Sequence, residues 1–240
     1  EHAFFNKLGG KSTGIFNSLN CGLGSSDNKK NIQKNLEIVK KKINAKSKKI
    51  VLLKQVHSNR FYYISKNSNL YNNKFEGDAL ITDKKNLPIA VLTADCVPIL
   101  IHDEKKNMIA AIHAGWKGAY KGIVKKVVKF MVKKGCSPKN ITVAIGPCIS
   151  HNNYEVKEDF KKRFIKKDKK NIIFFKITKN KNYFNLNKYI NFQLESLNIK
   201  KIDIINKDTF NAKNNFFSAR RSNSRNENDY GRNISIIMIN

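Results

Sequence analysis

Short apolar runs of strand length alternate along the chain with stretches whose apolar residues recur at helical spacing. The clearest case begins with an apolar run at residues 108–112, which is followed by His113, Gly115 and Gly118. An amphipathic stretch then continues to Gly135 and carries the apolar residues Trp116, Tyr120, Ile123, Val124, Val127, Val128 and Met131. The pattern predicts a buried strand, a glycine-flanked turn and one amphipathic helix that ends at Gly135.

A histidine ends this predicted strand. Open α/β folds bind their ligands beyond the carboxyl ends of the strands, so His113 is a candidate for chemistry. A core histidine that hydrogen-bonds to backbone has the same pattern. The stretch by itself leaves both interpretations open.

The rest of the pattern predicts a mixed α/β fold. Apolar runs or alternation predict further strands at 50–56, 60–65, within 77–82, and at 88–93, 97–101, 141–145, 172–177, 202–205 and 234–239. Helical spacing predicts further helices around Ile32, Leu36, Val39 and Ile43, around Val156, Phe160 and Phe164, and across 186–197. Ser26 or Asp27 is the predicted cap of the first of these helices, and 67–73 is a predicted polar loop. Strands and helices alternate only in parts, which favours a mixed sheet over a purely parallel one.

Neither an internal repeat nor a long linker divides the 240 residues, so we expect a single domain over residues 1–240. No apolar run approaches the roughly 18 residues of a membrane span, and no signal peptide is visible. The cysteines at positions 21, 96, 136 and 148 form no CxxC pair, which favours a reducing compartment over a disulfide framework. We therefore expect a cytoplasmic protein with no membrane partner.

The formal net charge of +29 has two interpretations. A basic surface attracts nucleic acids and other anions. However, lysines are spread over every predicted helix and loop, and Lys, Asn and Ile are all abundant, as A/T-rich codons produce. A dedicated nucleic-acid binder more often clusters arginine and interleaves aromatic residues. We interpret the charge as mainly compositional and expect no specific nucleic-acid partner, with a basic nucleic-acid-binding protein as the alternative.

Three candidate metal ligands lie at predicted strand ends: His57, Cys96 and His113. They are far apart in the sequence, unlike the close pairs of a zinc finger, and resemble a site assembled from separate strands. Two imidazoles and one thiolate suit Zn²⁺ and leave its fourth position open. Asp78 and Asp95 could orient such ligands or act as a general base. Two alternatives remain open: unrelated buried side chains, or a metal-free Cys–His nucleophile pair.

Several blocks of the chain, taken together, are characteristic of a known family. They are KQVH (54–57), GDALIT (77–82), TADCVPILI (93–101), AAIHAGWKG (110–118), AIGPCI (144–149), YEV (154–156) and FFSARR (216–221). In this order they resemble the YfiH-type family along essentially the whole chain. That family was first named for laccase-like polyphenol oxidase activity, is also called the peptidoglycan editing factor family, and is now understood as purine nucleoside phosphorylases.

The resemblance implies a zinc site at His57, Cys96 and His113 and a YfiH-like sandwich of mixed sheets packed between helices. It implies phosphorolysis of adenosine, inosine, guanosine and methylthioadenosine, with adenosine deamination at the same site. The expected partners are thus purine nucleosides and phosphate, bound by a monomer or weak homodimer. Copper-dependent oxidation of phenols is the less favoured alternative, because one His₂Cys site cannot hold the several coppers of a multicopper oxidase.

Candidate binding residues follow from what phosphorolysis requires. Lys117, Arg220 or Arg221 could hold phosphate, arginine bidentately. Asn20 and Gln55 carry amides suited to ribose or base edges. Asp78 and Asp95 could move the proton in deamination. Three departures from the family pattern concern the C-terminal third: Asp208 where a cysteine is common, Asn185 where an acidic residue is frequent, and a long polar loop after Arg221.

Overall fold

A computed structural model describes residues 1–47, 49–65 and 75–240 of the chain. The strands are β1 His2–Phe4, β2 Phe61–Ile64, β3 Ala79–Thr82, β4 Ile89–Thr93, β5 Val97–Asp103, β6 Met108–Ala114, β7 Ile141–Ile145, β8 Glu155–Val156, β9 Phe175–Thr178, β10 Lys181–Phe184, β11 Lys201–Ile204 and β12 Asn233–Ile237. The α-helices are α1 Lys29–Lys42, α2 Trp116–Tyr120, α3 Ile123–Lys133, α4 Glu158–Lys167, α5 Leu186–Glu195 and α6 Ala219–Ser224. Short 3₁₀ helices span Gly14–Phe16, Lys169–Phe174 and Ala212–Asn214.

The largest sheet has six strands in the order β11-β7-β5-β6-β3-β2. Its inner pairs are antiparallel, whereas β11 runs parallel to β7 and β2 runs parallel to β3. Two antiparallel three-stranded sheets, β1-β12-β4 and β8-β10-β9, accompany it. This arrangement confirms the predicted mixed α/β class. It also brings the start of β5 and the end of β6 to one edge of the large sheet.

The predicted amphipathic stretch covers one face of this sheet. Ile123, Val124, Val127, Val128 and Met131 are each at most 1% exposed and pack in one apolar cluster with the inward residues of β5, β6 and β7. Full burial of one such side chain stabilises the fold by about 1.5–3 kcal/mol. This packing makes β5 and β6 a rigid support for the side chains at their ends.

The prediction of one helix after His113 was wrong. Two helices, α2 and α3, share the stretch because Gly122 between them adopts φ +76° and breaks the helical backbone. The predicted end at Gly135 is confirmed: α3 stops at Lys133 and Gly135 has φ +93°.

Other boundaries also needed correction. Residues 50–56 form no strand and make isolated bridges instead, Val51 with Ile89 of β4 and Lys54 with Glu76. The first part of 172–177 is a 3₁₀ helix, and the cap of α1 is Asn28, whose side chain accepts the N–H of Lys30. The predicted loop at 67–73 lies outside the described residues. Within the described ranges, no helix has the length and apolar character needed to cross a membrane.

Candidate functional site

Three side chains that are distant in the sequence meet at one edge of the six-stranded sheet. Ligand-type atoms of His57, Cys96 and His113 all lie within 4.8 Å of one another. Nε2 of His57 is 3.6 Å from Sγ of Cys96, and the two imidazole rings meet edge to face with centroids 4.7 Å apart. Along residues 1–47, 49–65 and 75–240, these three form the one group of His, Cys, Asp and Glu side chains so arranged for a metal. We call them the His₂Cys cluster.

The backbone at the strand ends places these side chains. Cys96 directly precedes β5 and His113 is the next-to-last residue of β6, and these strands are antiparallel neighbours. His57 has φ +55° and Asp95, before Cys96, has φ +85°. Residues other than glycine rarely adopt this left-handed region, and such backbone strain is concentrated at functional sites.

Asp78 is a fully buried carboxylate that joins the two histidines. Its Oδ1 lies 2.8 Å from Nδ1 of His113 and accepts the backbone N–H of His57 at 3.0 Å. Its Oδ2 accepts the N–H and the hydroxyl of Ser58 at 2.6 and 2.7 Å. Burial raises the pKa of Asp78, but the bonds from His113 and Ser58 outweigh it and hold that pKa below its ordinary value. Asp78 therefore stays ionised and accepts Nδ1–H, which leaves Nε2 of His113 for a ligand.

Cys96 and His113 shift each other's protonation. Burial raises the pKa of Cys96, but the nearby His113 and His57 more than reverse this and lower it to about 6. Burial lowers the pKa of His113, but Cys96 and Asp78 raise it to about 9. The pair is thus stabilised as a thiolate beside an imidazolium, and a cation in the cluster can take the place of that proton.

Gly115 supplies the space in which the ring and the sulfur meet. A Cβ atom there would lie 2.6 Å from Cδ2 of His57 and 3.0 Å from Sγ of Cys96. The first distance is shorter than real Cβ atoms show, so any side chain at position 115 has to displace a member of the cluster.

The donor set fits a zinc ion. Two imidazole nitrogens and a thiolate are preferred zinc ligands, although copper binds the same donor types. His57 is exposed, Cys96 is half-buried and His113 is buried, so a metal held by all three would have room for an open position on the side of solvent. Catalytic zinc sites keep such an open position.

A second buried carboxylate connects Cys96 to helix α6. Oδ1 of Asp95 accepts the hydroxyl of Thr209 at 2.6 Å, and Oδ2 accepts the backbone N–H of Arg220 at 2.7 Å. Burial raises the pKa of Asp95, and these hydrogen bonds only partly oppose it. The carboxylate therefore holds the first turn of α6, which carries Arg220, against the strand end that carries Cys96.

A cleft of about 960 Å³ is lined by Trp116, the residue after Gly115, and by Tyr154 and Arg220 among others. Cζ of Arg220 lies 5.4 Å from the centroid of the Tyr154 ring, and its Nη1 donates to the carbonyl of Glu155 at 3.0 Å. That bond uses one of the five guanidinium N–H donors. Arg220 is therefore held in place with donors left for an anion.

The amide of Asn20 serves the fold instead of a ligand. Asn20 is 0% exposed, and its Nδ2 donates to Oγ of Ser25 and to Oδ2 of Asp27. Its Oδ1 accepts the N–H groups of Gly22 and Arg232. Both donors and both acceptor positions are used, so the predicted substrate role does not fit this structure.

Gln55 also binds backbone. Its Nε2 donates to the carbonyl of Leu92 and its Oε1 accepts the N–H of Leu92, both at 2.7 Å. This pair of bonds fixes residues 54–57 beside β4. The predicted contact of Gln55 with substrate is thus replaced by a role in placing His57.

Arg221 differs from its neighbour Arg220. Its Nη1 donates to the carbonyls of Thr209 and Phe210, and its Nη2 donates to the carbonyl of Phe216. The guanidinium holds the segment before α6 in place through these hydrogen bonds, so the phosphate-binding role predicted for Arg221 does not fit this structure. Lys117 is exposed on α2, and its Nζ lies 5.7 Å from the centroid of the Trp116 ring.

Sequence reasoning missed three supporting residues, Ser58, Thr209 and Tyr154. Ser58 directly follows the block KQVH and Tyr154 begins the block YEV, so their positions next to or within these blocks could have pointed to them. Thr209 belongs to the Asp208-Thr209 pair that stands where the family commonly has Cys-Thr, but nothing local identified its partner Asp95, which is 114 residues away. Asp208, noted above as a departure, accepts the N–H and hydroxyl of Ser150 and so stabilises a turn near the site.

Comparison with known proteins identifies close relatives. The family model described as multi-copper polyphenol oxidoreductase laccase matches residues 1–240. A purine nucleoside phosphorylase of Haemophilus influenzae is 33% identical over 226 residues, 92% of this chain and 89% of that protein. A purine nucleoside phosphorylase of Rickettsia prowazekii is 36% identical over 179 residues, 74% of this chain and 72% of that protein.

Solved structures show the same fold. YfiH from Bacillus licheniformis superposes with a TM-score of 0.91 at 26% identity, over 100% of this chain and 92% of that one. YlmD from Geobacillus stearothermophilus superposes with a TM-score of 0.88 at 25% identity, over 99% of this chain and 91% of that one.

Proposed function

The chain belongs to the multi-copper polyphenol oxidoreductase laccase family, and from this membership and the geometry of the site we propose that it is a zinc-containing purine nucleoside phosphorylase. Its proposed substrates are adenosine, inosine, guanosine and methylthioadenosine with phosphate, and it also deaminates adenosine. The observation that carries the proposal is the similarity, over most of the chain, to proteins named purine nucleoside phosphorylase. We further propose that it acts in the cytoplasm as a monomer or weak homodimer, in keeping with its four free cysteines.

His57, Cys96 and His113 are the proposed metal ligands. Zn²⁺ bound there supplies a Lewis acid that activates water or polarises an atom of the substrate. The chain's own contribution is orientation: Asp78 fixes the ring of His113 through Nδ1, and Gly115 leaves room for His57 beside Cys96.

Phosphorolysis joins a phosphate oxygen to C1′ of the nucleoside and breaks the C1′–N9 bond, giving pentose 1-phosphate and free base. Arg220 is the proposed phosphate ligand, because a guanidinium can bind two phosphate oxygens in parallel. Its attachment to Asp95 and to the carbonyl of Glu155 limits its motion before phosphate arrives. Lys117, exposed on α2 next in sequence to the lining residue Trp116, adds positive charge near the cleft.

Deamination replaces the 6-amino group of adenosine with oxygen from water and releases ammonia. Deamination needs no phosphate, so it distinguishes the role of the His₂Cys cluster from the role of Arg220. The cluster serves both reactions, whereas Arg220 serves phosphorolysis. In this arrangement Asp78 and Asp95 act by orienting His113 and Arg220.

The test is a product analysis with purified protein. Adenosine with phosphate should yield adenine and ribose 1-phosphate, inosine with phosphate should yield hypoxanthine, and adenosine without phosphate should yield inosine. The Arg220→Lys variant is the matched control, since it should lose phosphorolysis more than deamination. If neither base forms and a phenol is instead oxidised when copper is supplied, the oxidase function is correct.

A further inference from the structure

The cleft beside the His₂Cys cluster has one aromatic side chain that the proposed function leaves without a role. Trp116 lines the cleft and follows Gly115, where a Cβ atom would lie 2.6 Å from Cδ2 of His57. Its ring is half-buried and packs on Phe160 of α4, with the two centroids 5.0 Å apart. A partly exposed indole next to the cluster is suited to stack a purine, because every base has a flat π face that aromatic side chains bind.

Helix α4 places a guanidinium over this ring. Cζ of Arg163 lies 5.7 Å from the centroid of Trp116, and Arg163 also lines the cleft. Arg163 makes no hydrogen bond or ion pair with any residue that the structure describes. Its N–H donors are therefore available to the edge of a base that lies on the indole.

An unpaired carboxylate accompanies Arg163. Three carboxylates line the cleft, and two of them, Glu155 and Glu158, are each in an ion pair with a lysine, at 3.0 and 3.6 Å. The third, Asp159, has neither a hydrogen bond nor an ion pair in the described part of the chain. Asp159 precedes Arg163 by four residues, so both lie on one face of α4. The cleft thus presents one cationic donor and one anionic acceptor beside a single aromatic ring.

We propose that Trp116, Arg163 and Asp159 form the subsite for the purine base and that they select 6-oxopurines. This inference rests on the proposed phosphorolysis. Inosine and guanosine carry an acceptor oxygen at C6 and an N–H donor at N1, which match Arg163 and Asp159 respectively. Adenosine carries an amino donor at C6 and an acceptor at N1, so both pairings are reversed.

The selection has a known physical size. In nucleic-acid recognition, arginine bound to O6 and N7 of guanine is the most common specific contact, and one such pair discriminates against the wrong base by about tenfold or more. We therefore expect kcat/KM for phosphorolysis of inosine and guanosine to exceed that of adenosine by about tenfold. Guanosine also offers its 2-amino group to Asp159.

A binding experiment detects the base at this subsite without turnover. The chain contains one tryptophan, so selectively excited tryptophan fluorescence reports on Trp116 alone. In phosphate-free buffer inosine is not consumed, because phosphorolysis needs phosphate and inosine has no 6-amino group to lose. We expect inosine to quench this fluorescence saturably, and the titration gives its dissociation constant.

Variants of α4 test the selection. Arg163→Gln and Asp159→Asn should each raise the dissociation constant of inosine about tenfold and lower the ratio of kcat/KM for inosine to that for adenosine by a similar factor. Lys162→Gln is the matched control, because Lys162 is exposed on the same helix and does not line the cleft. All three positions are exposed, so these substitutions remove no buried contact.

The outcomes separate the subsite from the reaction. Inosine that is cleaved but binds without quenching, or binds equally well to Arg163→Gln, would overturn the subsite while phosphorolysis stands. Quenching that depends on Arg163, with no hypoxanthine released when phosphate is added, would support the subsite and contradict the reaction. Neither binding nor cleavage of inosine would overturn both.

Discussion

Oδ1 of Asp78 lies 2.8 Å from Nδ1 of His113, and both side chains are buried. This bond favours the form of His113 in which Nδ1 carries the hydrogen, so that Nε2 is left as the nitrogen that can bind a metal. Asp78→Asn replaces an ionised acceptor with a neutral amide, and loss of such a partner typically weakens metal binding 10–100-fold. We expect the zinc dissociation constant to rise by about that factor in a chelator competition.

Asp203→Asn is the matched control, since Asp203 is an exposed carboxylate on β11. It should bind zinc like the parent protein. An unchanged zinc dissociation constant in Asp78→Asn would show that Asp78 supports only the fold.

The metal content itself tests the ligand assignment. Protein purified without added metal should contain about one zinc per chain, and Cys96→Ala should lose most of it, because two histidines alone make a weak site. Cys136→Ala, which removes a buried thiol next to Met108, should retain it. Elemental analysis measures both. Full zinc content in Cys96→Ala contradicts the assignment.

The space at Gly115 allows a steric test. In Gly115→Ala the added Cβ meets His57 and Cys96 at 2.6 and 3.0 Å and should displace them. We expect zinc affinity and phosphorolysis to fall at least about tenfold with little change in the melting temperature. Gly24→Ala is the control, because a Cβ at Gly24 has no heavy atom within 4 Å. Parent-like zinc affinity in Gly115→Ala would place the metal elsewhere.

Arg220 and Arg221 are neighbours in the sequence, but we expect substitution of Arg220 to affect phosphate binding and substitution of Arg221 to affect stability. Arg220→Lys loses the guanidinium fork, and one charged hydrogen bond is worth about 1.5–3 kcal/mol, so the KM for phosphate should rise roughly 10–100-fold while deamination persists. Arg221→Lys loses bonds to the carbonyls of Thr209, Phe210 and Phe216.

We expect Arg221→Lys to lower the free energy of unfolding by about 1.5–3 kcal/mol with little change in the KM for phosphate. Denaturant titration and initial-rate kinetics separate the two effects. If Arg221→Lys, and not Arg220→Lys, raises the KM for phosphate, the roles are reversed.

The charge of +29 leads to a prediction about nucleic acids. If it is mainly compositional, binding to random-sequence duplex DNA should be weak and should fade between roughly 50 and 200 mM salt, as nonspecific phosphate contacts do. A fluorescence anisotropy titration at several salt concentrations measures this. Tight binding with sequence preference at physiological salt would revive the nucleic-acid-binding function.

The sequence by itself was sufficient to nominate the metal-binding candidates. His57, Cys96 and His113 each follow or end an apolar run, which left several interpretations open, and the ordered blocks that contain them selected the metal site through the family resemblance. The strand predicted before His57 does not form, so only Cys96 and His113 lie at strand ends as predicted. The buried apolar stripe of α3 could also be predicted from the sequence, because the helical spacing of apolar residues is visible among residues close together in the chain. In both cases the information is local.

Only the tertiary structure decided which polar side chains are available to a ligand. Asn20 and Arg221 have the residue types of binding groups, yet their hydrogen bonds go to the fold. The partner Arg232 of Asn20 is 212 residues away, and Gln55 pairs with Leu92, 37 residues away. Buried donors and acceptors must be paired, and the partner is set by which segments come together in space, which local periodicity does not encode.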